Sequence, residues 1–113
     1  GAQLFFGLPG TPLGCLTGFH LYAGPALRVQ AGAKPGPPSG RARLIGALKS
    51  HPGRIWFVPG KTQSGSAGPR VKPLVPRSSS DIFSAAEADV LIEVPAGGGG
   101  LEPDSMVELT WLD

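Results

Sequence analysis

Two short runs hold the residues best suited to chemistry. In the first, Gly7, Leu8, Pro9, Gly10, Thr11 and Pro12 close one apolar segment and open another. With Leu4 to Leu8 as a buried strand, and with Thr11 capping a helix whose first position is Pro12, the amides of the turn and the positive end of the helix dipole suit an anionic or phosphate-bearing ligand. A plain tight connection accounts for the same residues, and the run has neither the lysine and spacing of a P-loop nor the glycine pattern of a dinucleotide site. In the second run, Ser78, Ser79, Ser80 and Asp81 follow Arg77 and precede the apolar Ile82 and Phe83. These hydroxyls can bind an oxyanion with Arg77 supplying charge, and Ser80 or Asp81 can equally cap a short helix. The residue types leave both roles open.

Elsewhere the chemistry is sparse. His20 and His51 have no neighbouring nucleophile, so no catalytic triad is indicated, and His20 falls inside an apolar helical stripe where a packed histidine is expected. The acidic residues are dispersed, which argues neither for a paired acid and base nor for a magnesium site. The single cysteine, Cys15, has no partner for a disulfide, and with two distant histidines there is no zinc-ligand spacing. Beside Leu16 it reads as a small buried hydrophobe. Arg41, Arg43, Lys49, Arg54, Lys61, Arg70 and Lys72 read as decoration on solvated strand faces, with the alternative that a few of them line a groove for an anion.

The elements that must position these groups are short. From Leu13 to Val29, the residues Leu13, Leu16, Phe19, Tyr22, Ala23, Ala26 and Leu27 recur at spacings of three and four, which predicts a helix. Gly14, Gly18, Gly24 and above all Pro25, worth about 3 kcal/mol in a helix interior, predict a kink near Tyr22; Gly32 is the stop signal. The stripe's apolar face hints at self-association. Gly32 to Gly40, with Pro35, Pro37 and Pro38, reads as a stiff linker and sets a domain boundary between residues 32 and 33. Beyond it, Ala42 to Leu48, Arg54 to Val58, Val71 to Leu74, Val90 to Val94 and Met106 to Leu112 have strand character. Gln63 to Gly68 reads as a hairpin tip, Gly97 to Gly100 as a permissive loop, and Ser84 to Ala88 as a helical turn. Regularly spaced short strands predict a small barrel or sandwich.

Composition agrees. The chain has 113 residues, 18 of them Gly and 13 Pro, a pattern of turns and short strands rather than long helices. That length fits one core, and 41% hydrophobic against 16% charged residues argues against disorder. A net charge of +2, with basic residues scattered and not interleaved with stacking aromatics, disfavours nucleic acid. No stretch approaches the roughly 20 apolar residues that span a bilayer. The lone cysteine fits a reducing, cytoplasmic setting. The apolar run at Leu4 to Phe6, starting almost at the first residue, looks like the last strand of an α/β domain, giving a mainly β chain: a small β-barrel-like domain preceded by one strand and an α-helix.

The linear order of motifs adds a resemblance. Leu8-Pro9-Gly10-Thr11-Pro12 and Gly24-Pro25-Ala26-Leu27-Arg28 resemble the Leu-Pro-Gly-Asn-Pro turn and Pro-x-Leu helix of the molybdopterin molybdotransferases, the family that includes gephyrin. Pro52-Gly53-Arg54-Ile55-Trp56-Phe57 resembles its Gly-Arg-x-x-Phe strand. Ser80-Asp81-Ile82-Phe83-Ser84 resembles its Gly-Ser-x-Ile-x-Ser segment, with Ala88-Asp89 where Ala-Asn is common, and Leu101 to Leu109 resembles its closing turn and strand.

The resemblance implies that residues 1–32 end a molybdopterin-binding α/β domain and that 33–113 form the C-terminal barrel. It implies a transferase that uses magnesium and molybdate to convert adenylylated molybdopterin into molybdenum cofactor, in a cleft between domains of a homodimer, with the metal-binding carboxylates mostly outside this chain. This chain alone is then expected to be inactive. By the same resemblance Pro9, Gly10 and Pro12 shape the active-site turn, and Ser80 is the serine that the final domain gives to the cleft. Thr11 stands for the usual asparagine and Gly14 for the usual serine. Pro59 stands where some members carry an arginine, which leaves Arg54 or Lys61 to supply that charge. Asp104 and Ser105 replace a Gly-Glu, a change expected to alter only the turn. The rival reading is a non-catalytic β-domain that binds a protein partner.

Overall fold

A computed structural model describes residues 17–34, 39–75 and 86–112. The sequence-predicted strand at Leu4 to Leu8, the turn at Gly7 to Pro12, the start of the helix, and Ser80 lie outside these residues. Within them, the helical stripe continues as a π-helical turn, Phe19–Ala23, followed by helix α1, Gly24–Gln30. The irregularity expected near Tyr22 takes this form for a local reason. Pro25 sits in the first turn of α1 and has no N–H to give, and the backbone widens just before it, with the Gly24 N–H donating to the Phe19 carbonyl five residues back. Gly32 ends the segment at a φ of +79°. Ala23 is buried, whereas Tyr22, Leu27 and Val29 are exposed.

Five strands follow: β1 (Ser39–Leu44), β2 (Trp56–Gln63), β3 (Arg70–Pro73), β4 (Val90–Val94) and β5 (Met106–Trp111). They close into a barrel in the order β1-β3-β2-β4-β5, with β5 returning to β1. Only the β1–β3 seam is parallel, and it is short, with Arg43 opposite Arg70 and Leu44 opposite Val71. Alternation along the strands turns aliphatic residues inward. Ala42, Leu44, Val58, Val71, Val90, Ile92, Val94, Val107 and Leu109 make the core together with Leu48. A small barrel of this kind is filled by side chains rather than hollow. Leu48 and Leu101 exchange backbone hydrogen bonds of 3.0 and 2.7 Å in an isolated bridge beside that core.

The prediction of five short strands agrees with the barrel, and both boundaries of the first two strands need correction. β1 begins at Ser39, inside the stretch read as linker, because Ser39 and Gly40 pair with Thr110 and Leu109 of β5. It ends at Leu44, and Leu48 belongs to the bridge instead. β2 starts later and runs to Gln63, straight through Pro59 and Gly60, two residues that usually stop a strand. The hydrogen-bond pattern explains the tolerance. Gly60 is opposite Pro73, the last residue of β3, so the donor that Pro59 lacks would have pointed just past the end of that strand. The Pro59 carbonyl is still used and accepts the Leu74 N–H at 2.8 Å.

Two further details depend on backbone conformation. Gly97 to Gly100 all have positive φ, from +71° to +98°, which matches the permissive loop expected there. Asp104 is the one described non-glycine residue with positive φ, at +64°, a position that suits the family's glycine. Its substitution does more than alter the turn. The Asp104 carboxylate adds an ion pair with Arg70 Nη2 at 3.3 Å on β3, beside the contact of Arg43 Nη1 on β1 with the main-chain carbonyl of residue 104 at 3.2 Å, which does not depend on the side chain.

Gly60 faces the barrel interior. A Cβ there would come within 2.8 Å of Ile92 Cδ1 and 2.9 Å of Val71 Cγ2, both belonging to fully buried residues. Replacing Gly60 with Ala is therefore expected to cost about 2 kcal/mol through overpacking. The readout is a thermal unfolding midpoint lowered by about 10 °C; an unchanged midpoint would show that the core has slack.

Candidate functional site

Strand β2 organises the part of the barrel to which the sequence-derived candidates point. Its inward residues are Val58 and Gly60; Phe57, Pro59 and Lys61 alternate with them on the outer face. Pro59 is fully buried, as is its cross-strand partner Leu91. The outer wall thus has an apolar spot at Pro59 and Leu91, and Lys61, the next outward residue along β2, is exposed.

Lys61 is held firmly at the backbone. On one side of it, the Gly60 carbonyl accepts the Asp89 N–H at 3.0 Å. On the other, the Asp89 carboxylate accepts both the Thr62 N–H, at 2.9 Å, and the Thr62 hydroxyl, at 2.6 Å. The Asp89 carbonyl in turn accepts the Leu112 N–H at 2.9 Å. One residue at the head of β4 therefore joins the chain on either side of Lys61 to the end of β5. Charge-assisted bonds from a half-buried carboxylate are the strong kind.

Arg54 lies elsewhere. It is exposed in the loop before β2, with Nη2 3.3 Å from His51 Nε2, while His51 Nδ1 accepts the Gly53 N–H at 3.1 Å. Both ring nitrogens of His51 thus face donors, and a neutral imidazole can accept at only one of them at a time. Arg54 and Lys61 stand at opposite ends of β2, and the structure does not bring them together around one ligand. Pro9, Gly10, Pro12 and Ser80 lie outside the described residues.

The strand-face reading of the basic residues holds for Arg41 and Arg43 on β1, Lys61 on β2, and Arg70 and Lys72 on β3, all exposed. Register adds what the linear sequence could not. Arg43 is directly opposite Arg70, and Lys61 directly opposite Lys72. Arg41 is paired with Glu108 at 2.8 Å and Arg70 with Asp104 at 3.3 Å. Among the described residues no three His, Cys, Asp or Glu side chains converge as a metal-ligand set. His20 packs edge-on against Phe19 with ring centroids 5.6 Å apart, in line with a packed histidine. No described helix is long and apolar enough to cross a membrane.

By architecture, then, the described strands form a small closed β-barrel domain. Relatives carry the same barrel. A molybdopterin biosynthesis moeA protein from Pyrococcus horikoshii superposes with a TM-score of 0.78 over 91% of this chain and 26% of its own length, at 21% identity, a likeness of fold. A molybdenum cofactor biosynthesis protein from Pyrococcus furiosus gives 0.76 over 91% of this chain and 36% of its own, at 28% identity. Proteins named molybdopterin molybdenumtransferase from Staphylococcus aureus and Staphylococcus epidermidis are each 30% identical over 108 residues, 95% of this chain and 26% of theirs. The chain thus spans about a quarter of the length of these curated relatives. The family model for the MoeA C-terminal region (domain IV) matches residues 41–112, and the chain belongs to that family.

The Asp89 contacts generate a stability test. Asp89→Ala strands the Thr62 N–H and should cost about 2 kcal/mol in urea unfolding. Asp89→Asn, which can still accept from the amide and meet the hydroxyl, should cost less than about 1 kcal/mol. Equal losses in the two variants would show that the carboxylate geometry is not what matters.

Proposed function

We propose that this chain is the C-terminal portion of a molybdopterin molybdotransferase that inserts molybdate into adenylylated molybdopterin, forming molybdenum cofactor with release of AMP. The observation that carries the reading is the match of 95% of the chain to proteins named molybdopterin molybdenumtransferase, alongside the domain IV family model. Residues 1–32 are assigned to the end of the preceding α/β domain and 33–113 to the barrel. The end of α1 at Gln30, the left-handed Gly32 and the start of β1 at Ser39 support a division there. The barrel forms one wall of an interdomain cleft in a cytoplasmic homodimer. Molybdate is substrate, and magnesium, which the resemblance implies as cofactor, is assigned to carboxylates of other domains.

Within that cleft Ser80 donates or accepts a hydrogen bond to a phosphate or molybdate oxygen, and Pro9, Gly10 and Pro12 hold the opposing corner rigid. Of the two basic candidates, Lys61 is the better replacement for the arginine absent at Pro59. It lies two residues along the same outer face, about 7 Å away, and the residues that bracket the stretch containing Ser80 are bonded to its neighbours: Leu74 to Pro59, and Asp89 to Gly60 and Thr62. Arg54 lies beyond the other end of β2.

The test is an exchange of the matching quarter of the Staphylococcus aureus protein for this chain. The chimera should form molybdenum cofactor from adenylylated molybdopterin and molybdate, whereas the chain alone should form none. Ser80→Ala in the chimera should lower the rate at least about tenfold, the loss of about one to two hydrogen bonds to a charged group, with the barrel still folded. A folded chimera without activity would count against the assignment, and an undiminished Ser80→Ala rate would remove Ser80 from the cleft.

A further inference from the structure

We propose that Lys61 and Lys72 together form a two-ammonium seat for a phosphate group on the outer wall of the barrel. The proposal rests on the transferase reading and deepens it by assigning the phosphate-bearing part of the substrate to this face.

The argument is one of register and compensation. Like charges directly opposite one another in a ladder destabilise a sheet, and the contiguous wall β1–β3–β2 carries two such pairs, Arg43 with Arg70 and Lys61 with Lys72. The first is compensated by the protein. Asp104 forms an ion pair with Arg70 and offers its carbonyl to Arg43, and Glu108 holds Arg41 on the same wall. The second is not. Among the described residues, neither the Lys61 nor the Lys72 ammonium has a side-chain hydrogen bond or ion pair, and Asp89, the nearest acid along β4, is committed to Thr62. Of five outward cations on this wall, the two whose ammonium groups have no partner among the described residues are thus each other's cross-strand neighbours.

Directly opposite residues stand about 5 Å apart at Cβ. Two flexible ammonium groups at that spacing can each donate to a different oxygen of one tetrahedral phosphate. The backbone below is well fixed, since Gly60 and Thr62 on either side of Lys61 are bonded to Asp89. Charge therefore sits on a rigid base where it costs the empty domain stability, and an anion of charge about −2 removes that cost.

The experiment is an amide NMR titration of isotopically labelled chain with inorganic pyrophosphate and with AMP, at constant ionic strength set by chloride. Saturable shifts are expected at residues 60–63 and 70–73. Lys61→Gln and Lys72→Gln should each weaken binding about fivefold, with the amide dispersion of the same spectra reporting that the fold is kept. Lys34→Gln with Lys49→Gln, which removes two charges elsewhere, should leave the affinity unchanged. The proposal is overturned if the shifts do not saturate, if they spread equally to Lys34 and Lys49, or if the control pair loses as much affinity as the seat variants. Because this readout uses no turnover, failure here with an active chimera rejects only the seat, and an inactive chimera with saturable binding rejects only the reaction.

Discussion

The Asp89 carboxylate accepts two hydrogen bonds from Thr62, and its own backbone serves Gly60 on β2 and Leu112 just after β5. The side-chain contact sets the β2–β4 register at the strand heads, where a slip of one residue would turn every inward valine to solvent. From that point the pairing runs down both strands, Gly60 with Val90, Val58 with Ile92, Trp56 with Val94, and it delivers the all-aliphatic interior. The positions of Pro59 and Lys61 on the outer wall follow from the same register.

Much of the architecture was legible because the governing signals are local. The apolar run Val90 to Val94, the alternation in Met106 to Trp111, and the turn residues between segments are read along the chain itself. What escaped depends on who sits across the sheet. Nothing near Pro59 reveals that its missing donor faces the end of β3, so a strand through Pro59 and Gly60 becomes intelligible only once the Gly60–Pro73 register is known. The same holds for Ser39 and Gly40, whose strand character is supplied by β5. The widening of the helix before Pro25 was foreseeable in place, though not in form.

The candidate site divides along the same line. A motif order shared with a family pointed to Pro9, Gly10, Pro12 and Ser80, while composition alone left the basic residues interchangeable. Register ends that equivalence, separating Arg54 from Lys61 and bringing Lys72 up to Lys61 across the β2–β3 hairpin. It likewise turns Asp104, which looked like a mere turn substitution, into the acid that quiets the arginine pair. A charge pattern on a barrel is a property of columns across strands, and no single strand displays it.

The pairing of β1 with β5 has a bearing on how the domain is made. Ser39 to Arg43 find their antiparallel partners in Met106 to Thr110, and on the other side β1 meets only a two-residue parallel seam. The first strand thus waits through almost the entire synthesis of the barrel for its main neighbour, a high-contact-order arrangement in which loop-closure entropy comes due before the reward. Until the ribosome has released the last strand, β1 is an open edge bearing Arg41 and Arg43, and charge of one sign along such an edge discourages pairing with other chains.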